Sequence, residues 1–511
     1  MLLPRSRLRL GSLNLHRPDR SSFVELAERY PVVPVWREIL ADTLTPVAAF
    51  LRLDPRPNGF LLESVEGGER WGRYSFLGGD AFAEIRAKDG VVEVAGDPPV
   101  PPEDGEPPLA YVKRLMGACS APDIPGLPPL HGGAVGYIGY DCVRELERLE
   151  HPPHDDLGLP DLAFVLTRTF VVFDHLSQKA FVITNVASSG DPARDYDTAV
   201  GRCEDVVDRL QAPGTEAPLG LEGGTPTSFD VTVSDEEYGT WVERAREHIY
   251  AGDIFQVVPS RRWSAPLEGS AFDAYRRLRT LNPSPYMYFL RFAELPTHGG
   301  VEIAGSSPEP LVRVTGDEIV TRPIAGTRPR GADEAEDKRL EADLLSDEKE
   351  RAEHVMLVDL ARNDVGRVAE YGSVSVDDFM VIERYSHVMH IVSNVTGRLA
   401  SGRSPFDALG ACFPAGTVSG APKVRAMEII DSLEPTRRGP YAGVVGYFDF
   451  SGNVDTCITI RTIVATGGRA YVQAGAGIVA DSVPASEVTE TRNKAEALLR
   501  AVTTTDAAKR A

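Results

Sequence analysis

At 511 residues, with 42% apolar content and a formal charge of -21, the chain can bury a large core and would repel phosphate backbones and anionic membrane surfaces. Nucleic acid is therefore not an expected partner. Its five cysteines (Cys119, Cys142, Cys203, Cys412, Cys457) are odd in number, scattered and never in a C-x-x-C pair, which argues against disulfides and thiolate zinc and for a reducing cytoplasm. No uncharged apolar run reaches the roughly 18 residues of a membrane span, so no membrane association is expected.

Residues 1–22 carry Arg5, Arg7, Arg9 and Arg17 with no acid before Asp19, and lack the apolar run of a secretory signal. A disordered N-terminal extension is expected there. Residues 23–211 hold short β-rich runs such as AFVLTRTFVVFD and KAFVITNV, spaced like hairpins, with a Pro/Gly-rich surface loop at 97–108. The Gly/Pro-rich stretch 212–229 reads as a linker, and 230–503 mixes helices with strands.

Ser234 and Glu237 form the capping-box pattern of a helix whose apolar face is Tyr238, Trp241, Val242, Ala245 and Ile249, with Gly252 as its stop. That helix leads into AGDIFQVVPSRR. A long charged helix is expected over 334–364 and another over 487–502. Between them YAGVVGYFDF, CITIRTIVA and AYVQAGAGIVA read as an antiparallel meander.

Two acidic pairs stand out. Glu350 and Glu353 share a helical stripe with Leu357, Leu360 and Ala361, and Glu487, Glu490 and Lys494 share one with Ala497, Leu498 and Ala501. Buried charge of one sign is costly unless neutralised, and a hard divalent ion such as magnesium suits carboxylates with no histidine or cysteine nearby. One such pair alone would more often be a solvated helix edge, its glutamates paired with Arg351 or Arg492. Two pairs on apolar stripes favour the ion.

Arg461 lies inside CITIRTIV, where a guanidinium needs a carboxylate partner or an anionic ligand, and a structural ion pair is nearly as good a reading. Lys494 is a similar case. Gly475, Ala476 and Gly477 in AGAGIVADS permit close approach to a ligand carboxylate, or form a bulge. His390 in YSHVMHIVSNV could be a satisfied core histidine. Thr417 in FPAGTVSGAPK and Thr327 in PIAGTRPRG sit in Gly/Pro loops and could donate to a ligand or only shape the turn.

Taken with NPSPYMYF, GSSPEP, ERAEHVMLVDLARNDVG, GVVGYFDF, DTCITIR and ETRNKA, these motifs resemble anthranilate synthase component I of the chorismate-utilising enzyme family, over about residues 25–501. The resemblance implies an α+β fold: one large body of two packed antiparallel sheets flanked by helices, completed by the N-terminal region. It implies a lyase that aminates chorismate with ammonia to give anthranilate and pyruvate. By motif, Glu350, Glu353, Glu487 and Glu490 correspond to the magnesium-binding acids. Thr417, Tyr441, Arg461, Gly475, Ala476, Gly477 and Lys494 fall where the family holds chorismate. Glu309 in SPEP matches the general acid and His390 the active-site histidine, with Gln256 and Thr327 completing the catalytic set.

Two positions separate the relatives. Enzymes making isochorismate or salicylate carry a lysine where this chain has Gln256, and an amide cannot activate water as that base does. Aminodeoxychorismate synthases place a nucleophilic lysine where this chain has Ala325. Both substitutions favour direct attack by ammonia; a catalytically inactive tryptophan-binding subunit is the further alternative.

The resemblance also implies feedback inhibition by tryptophan. Leu62 and Ser64 in FLLESVEGGERWGRYSFLG match one wall of the inhibitor site, and Asn282, Pro285, Tyr286, Met287, Val445 and Tyr447 match the other. Without that match the segments read as a strand edge and a proline turn. None of the five cysteines stands in a glycine-rich nucleophile elbow, so ammonia is expected from a separate glutamine amidotransferase subunit in a hetero-oligomer, with a heterotetramer as the family's form.

Overall fold

Nearly every side chain of the strand Leu162–Asp174 (LAFVLTRTFVVFD) is buried, the pattern of a strand covered on both faces. Along one edge it pairs with Tyr74–Lys88, and along the other with Gly133–Ile138 and then Lys179–Ala187, always antiparallel. The computed structural model describes residues 15–64, 72–214, 218–219, 229–267, 269–294, 299–385 and 388–503. Among them, hydrogen bonds join 21 strands into one network, and Gln256–Val257 with Gly420–Ala421 forms a separate two-stranded ribbon. Helices flank the strands, which is the α+β class expected.

The two regions on either side of the 212–229 stretch are joined through the sheet. Gly59–Glu63 pairs with Tyr286–Phe292, and Gly133–Ile138 with Val444–Asp449. Phe60 and Phe170 from the first region pack in one buried cluster with Tyr288, Leu290, Val445 and Tyr447 from the second. Each such side chain contributes roughly 1.5–3 kcal/mol of burial, so the junction is part of the core. Most of the expected linker, residues 215–217 and 220–228, lies outside the described residues.

Three expectations need correction. Residues 15–22 are not a disordered extension: His16–Arg17 pairs with the strand Val32–Leu40, and a helix starts at Arg20 because the Asp19 side chain caps Ser22 N–H, while residues 1–14 lie outside the described residues. The charged helix over 334–364 is two helices, Glu334–Ser346 and Glu348–Gly366. Asp347 divides them, its carboxylate accepting from the N–H groups of Lys349 and Glu350, so Glu350 stands in a first turn. CITIRTIVA is likewise two strands, Val454–Ile458 and Thr462–Thr466, because Arg461 adopts a left-handed φ of 52° between them.

The helix Asp235–Tyr250 forms as its sequence pattern predicts, with Ser234 as cap and Tyr238, Trp241, Val242 and Ala245 buried. The terminal helix runs Pro484–Val502. All five cysteines are buried and unpaired. Among the described residues, no helix is long and apolar enough to cross a membrane.

Candidate active site

A cavity of about 530 Å³ opens where the ribbon, the Glu348–Gly366 helix, the terminal helix and the strand Val388–Arg398 meet. Glu309, His390, Gln256, Thr327 and Ala325 line it, as do Thr417, Tyr441, Arg461, Gly475, Gly477 and Lys494. All four predicted metal acids, Glu350, Glu353, Glu487 and Glu490, line the same space. Ala476 does not: it is fully buried, and its N–H points to the Tyr238 hydroxyl at 3.3 Å. Residues ranging from 256 to 494 thus converge because the strands and helices carrying them do.

Glu309 sits just before the strand Pro310–Thr315, with its carbonyl accepting from Ile458 N–H at 3.0 Å. Burial pushes its carboxyl up to about 7, while the neighbouring Thr417 hydroxyl and Lys494 ammonium pull weakly the other way. The Thr417 hydroxyl nonetheless makes no hydrogen bond of ordinary geometry, so the two groups are close but not aligned. Gln256 is buried and its Oε1 also lacks a partner. A Cβ at Gly477 would stand 2.6 Å from Gln256 Nε2, so a larger residue there would push the amide out of its present position.

His390 pairs across the sheet with Thr327. Its Nδ1 lies 3.0 Å from the Gly326 carbonyl and 3.1 Å from Thr327 Oγ1. A carbonyl can only accept, so Nδ1 carries the proton and Nε2 keeps its lone pair. Burial lowers its pKa and keeps the ring neutral, opposed by the Gly326 hydrogen bond and aided by the nearby Arg461 charge. It is therefore not a satisfied core histidine.

Arg461 donates to the Lys494 carbonyl at 2.9 Å and, among the described residues, makes no ion pair. Burial pushes its pKa down, a cost that an anionic ligand would remove. Lys494 pairs with Glu490 at 2.6 Å and donates to the Gly475 carbonyl at 3.0 Å. Glu350 pairs with Arg328 at 3.4 Å, whereas Arg492 turns to Asp235, so neither Arg351 nor Arg492 is the counter-ion of these acids. Burial raises Glu353, helped by the Glu350 and Glu490 charges, and raises Glu487 likewise.

Among the described residues no three acids converge into a closed cage. The donor set is carboxylate oxygen only, on two facing helices, with like-charge repulsion that a cation would relieve. That suits magnesium, which takes one or two protein carboxylates and fills the rest of its shell with water and substrate oxygens.

Sequence patterns did not single out Lys349, Val258 or Gln473, which also line the cavity. Lys349 neighbours Glu350 in a charged helix, where one more lysine carries no signal. Gln473 alternates with apolar neighbours in AYVQAGAG, a polar residue on a buried strand that could have been flagged.

Residues 69–500 match the chorismate binding enzyme family. Anthranilate synthase component 1 of Pseudomonas aeruginosa is 50% identical over 492 residues, covering 95% of this chain and 98% of that one. The Acetivibrio thermocellus protein of the same name is 48% identical, covering 93% and 96%. The crystal structure of anthranilate synthase component I from Streptococcus pneumoniae superposes with a TM-score of 0.76 at 39% identity, covering 90% of this chain and 98% of that one. The chain belongs to the anthranilate synthase component I family.

A second cavity, about 290 Å³, lies where the two regions of this chain share their sheet. Leu62, Ser64, Pro285, Tyr286, Met287, Val445 and Tyr447 line it as the resemblance implies. Asn282 does not; its amide donates to Ser306 Oγ at 3.1 Å, holding the turn that presents Pro285. The part of the motif at 65–71 lies outside the described residues. Arg313 and Asp455 also line this cavity and face each other across paired strands at 3.6 Å, with the Tyr286 hydroxyl donating to Asp455 at 3.0 Å. Charges within LVRVT and VDTCI were the sequence signal for them.

Proposed function

We propose that this chain holds chorismate in the large cavity and converts it, with magnesium and ammonia, into anthranilate and pyruvate. One observation supports the reading above others: among the described residues, Gln256 Oε1 and Thr417 Oγ1 are buried at one cavity without hydrogen-bond partners, and Arg461, lining the same cavity, has no ion-pair partner and donates only to the Lys494 carbonyl. Family membership supports the overall conversion. Arg461, Tyr441, Thr417 and the Gly475 and Gly477 backbone bind the substrate's carboxylates, and the four glutamates hold the metal. Bound there, magnesium would supply positive charge to a carboxylate of the substrate.

Glu309, protonated near neutral pH, gives its proton to the C4 hydroxyl as that group leaves and nitrogen bonds to C2. Gln256 Oε1 accepts a hydrogen bond from the incoming ammonia. The added nitrogen returns its surplus proton to Glu309. His390 Nε2 then takes the C2 proton while the C3–O bond breaks, and passes it to the methylene carbon of the departing enolpyruvate, giving pyruvate and an aromatic ring. Glutamine hydrolysis belongs to a separate amidotransferase chain, since burial pushes all five thiols up and away from the thiolate form. The relatives' name, component 1, implies a partner subunit. The smaller cavity takes tryptophan, its apolar walls holding the indole and its polar end the amino acid.

Chorismate titrated calorimetrically into the protein with magnesium and no ammonium tests the binding half. Arg461→Ala should weaken binding by about 100-fold, the scale of losing a buried charge-assisted contact. Unchanged binding would remove Arg461 from the substrate site.

A further inference from the structure

We infer that the buried Arg438–Glu434 pair is the positioning element that sets the shape of the large cavity on its Gln256 and Thr417 side, an inference that rests on the chorismate reading of that cavity. The two side chains are 1% and 3% exposed and meet through two hydrogen bonds, Nε to Oε2 at 2.9 Å and NH2 to Oε1 at 2.6 Å. The guanidinium also donates to the carbonyl of Val258 and to that of Val418, each at 2.7 Å. Glu434 Oε1 accepts from Ser260 N–H at 2.7 Å and Ser260 Oγ at 2.8 Å, and Ser260 Oγ in turn accepts from Gln473 Nε2 at 2.8 Å.

Each tie ends on the cavity. Val258 and Val418 line it, and they follow Gln256 and Thr417 closely in sequence. Those two polar groups make no hydrogen bonds of their own at Gln256 Oε1 and Thr417 Oγ1, so their aim is set by the backbone beneath them. That backbone is the ribbon strand Gln256–Val257 and the 3-10 turn Gly416–Val418, tied together by Val258 N–H to Ser419 carbonyl at 3.0 Å, and Arg438 grips the carbonyl on either side of that tie. Tyr441, three residues on, lies under the same guanidinium, with 5.5 Å from the guanidinium carbon to the ring centre. Ser260 stands opposite Gly475 in the sheet, bringing the fourth wall into the network.

Stability alone is a poor account of the pair. Burying two charges costs about as much desolvation as their attraction returns, and an apolar replacement is often equally stable. What an apolar pair could not do is hold two carbonyls, a serine and a tyrosine in one fixed arrangement. Lysine could not either, because a single ammonium cannot span the planar fork of contacts.

The test is steady-state kinetics of Arg438→Lys beside wild type, with chorismate and ammonium varied separately, and thermal melts of both. The expected result is a rise of about tenfold in KM for both chorismate and ammonia with kcat within about threefold, because the displaced groups bind substrates while Glu309 and His390 are held by other segments of the chain. Should Arg438→Lys fail to fold, Ser260→Ala keeps the pair but cuts the tie to Gln473, and a rise of about threefold in chorismate KM at wild-type melting temperature is expected. Wild-type KM values in the folded variants, with only the melting temperature or kcat lowered, would overturn the inference. An inactive wild-type protein would overturn the chorismate reading itself, so the two failures are distinguishable.

Discussion

Glu309 and Arg313 stand four residues apart at the start and in the body of one strand, yet they line different cavities: Glu309 the large one, Arg313 the smaller one. The neighbouring strand repeats the relationship, since Asp455 and Cys457 line the smaller cavity and the chain then turns at Arg461 into the larger. Pro310 pairs with Cys457 and Arg313 with Asp455, with a bulge between them, so hydrogen bonds tie the two strands together between the cavities. A ligand that re-sets the Arg313–Asp455 contact would shift the acid and the carboxylate-binding arginine by rigid connection, a physical route for inhibition from the smaller cavity.

Glu309 carries a prediction in pH. A carboxyl raised to about 7 is protonated below that value, so kcat measured at constant free ammonia should fall as pH rises through about 7. The same shift affects stability: the folded protein binds this proton more tightly than the unfolded chain, so stability declines as pH rises from the ordinary glutamate range through about 7. Glu309→Gln should therefore raise stability at pH 8 by roughly 1–3 kcal/mol, leave it unchanged near pH 4, and cut kcat by about 10²–10⁴-fold. Equal effects on melting temperature at both pH values would contradict the assignment.

His390→Asn keeps polarity and size but offers no basic nitrogen. Amination should continue while pyruvate loss slows by about 100-fold or more, so mass spectrometry should find an aminated product still bearing its enolpyruvyl group. Anthranilate as the sole product, at a uniformly reduced rate, would place His390 outside the elimination step.

Glu490 is about half exposed on the terminal helix, so Glu490→Gln should fold normally. The magnesium concentration for half-maximal activity should rise by about 10–100-fold, and chelation with EDTA should abolish wild-type activity reversibly. A variant with the wild-type magnesium requirement would show that Glu490 only pairs with Lys494.

Filling the smaller cavity should separate inhibition from catalysis. Leu62 lines it without touching the larger one, and Leu62→Trp should raise the inhibition constant for tryptophan by about tenfold while uninhibited kcat stays within about twofold. Full sensitivity to tryptophan in a folded Leu62→Trp protein would move the inhibitor elsewhere.

The acids were legible because two E-x-x-E pairs lay on apolar helical stripes, a conflict that local sequence displays. Arg461 was legible as a charge in an apolar run, but not as the residue at which the strand breaks, because a left-handed φ at an arginine is imposed by tertiary contacts. The division at Asp347 was obscured by helix-forming residues on both sides, although an aspartate three residues before Glu350 is a cap signal. Asn282 was placed in the inhibitor pocket with its motif neighbours; the structure turns it to Ser306 because it closes a helix rather than opening the strand. The contacts of Arg438 with Val258 and Val418 span 180 and 20 residues, and no pattern along the chain encodes them.

The most direct test of the central claim is product analysis, by fluorescence and mass, of the purified chain given chorismate, magnesium and ammonium at alkaline pH. Anthranilate and pyruvate in equal amounts, with no glutaminase subunit added, is the predicted result. Isochorismate, salicylate or aminodeoxychorismate as the product would contradict the roles given to Gln256 and Ala325, and no turnover would contradict the account of the large cavity as a catalytic site.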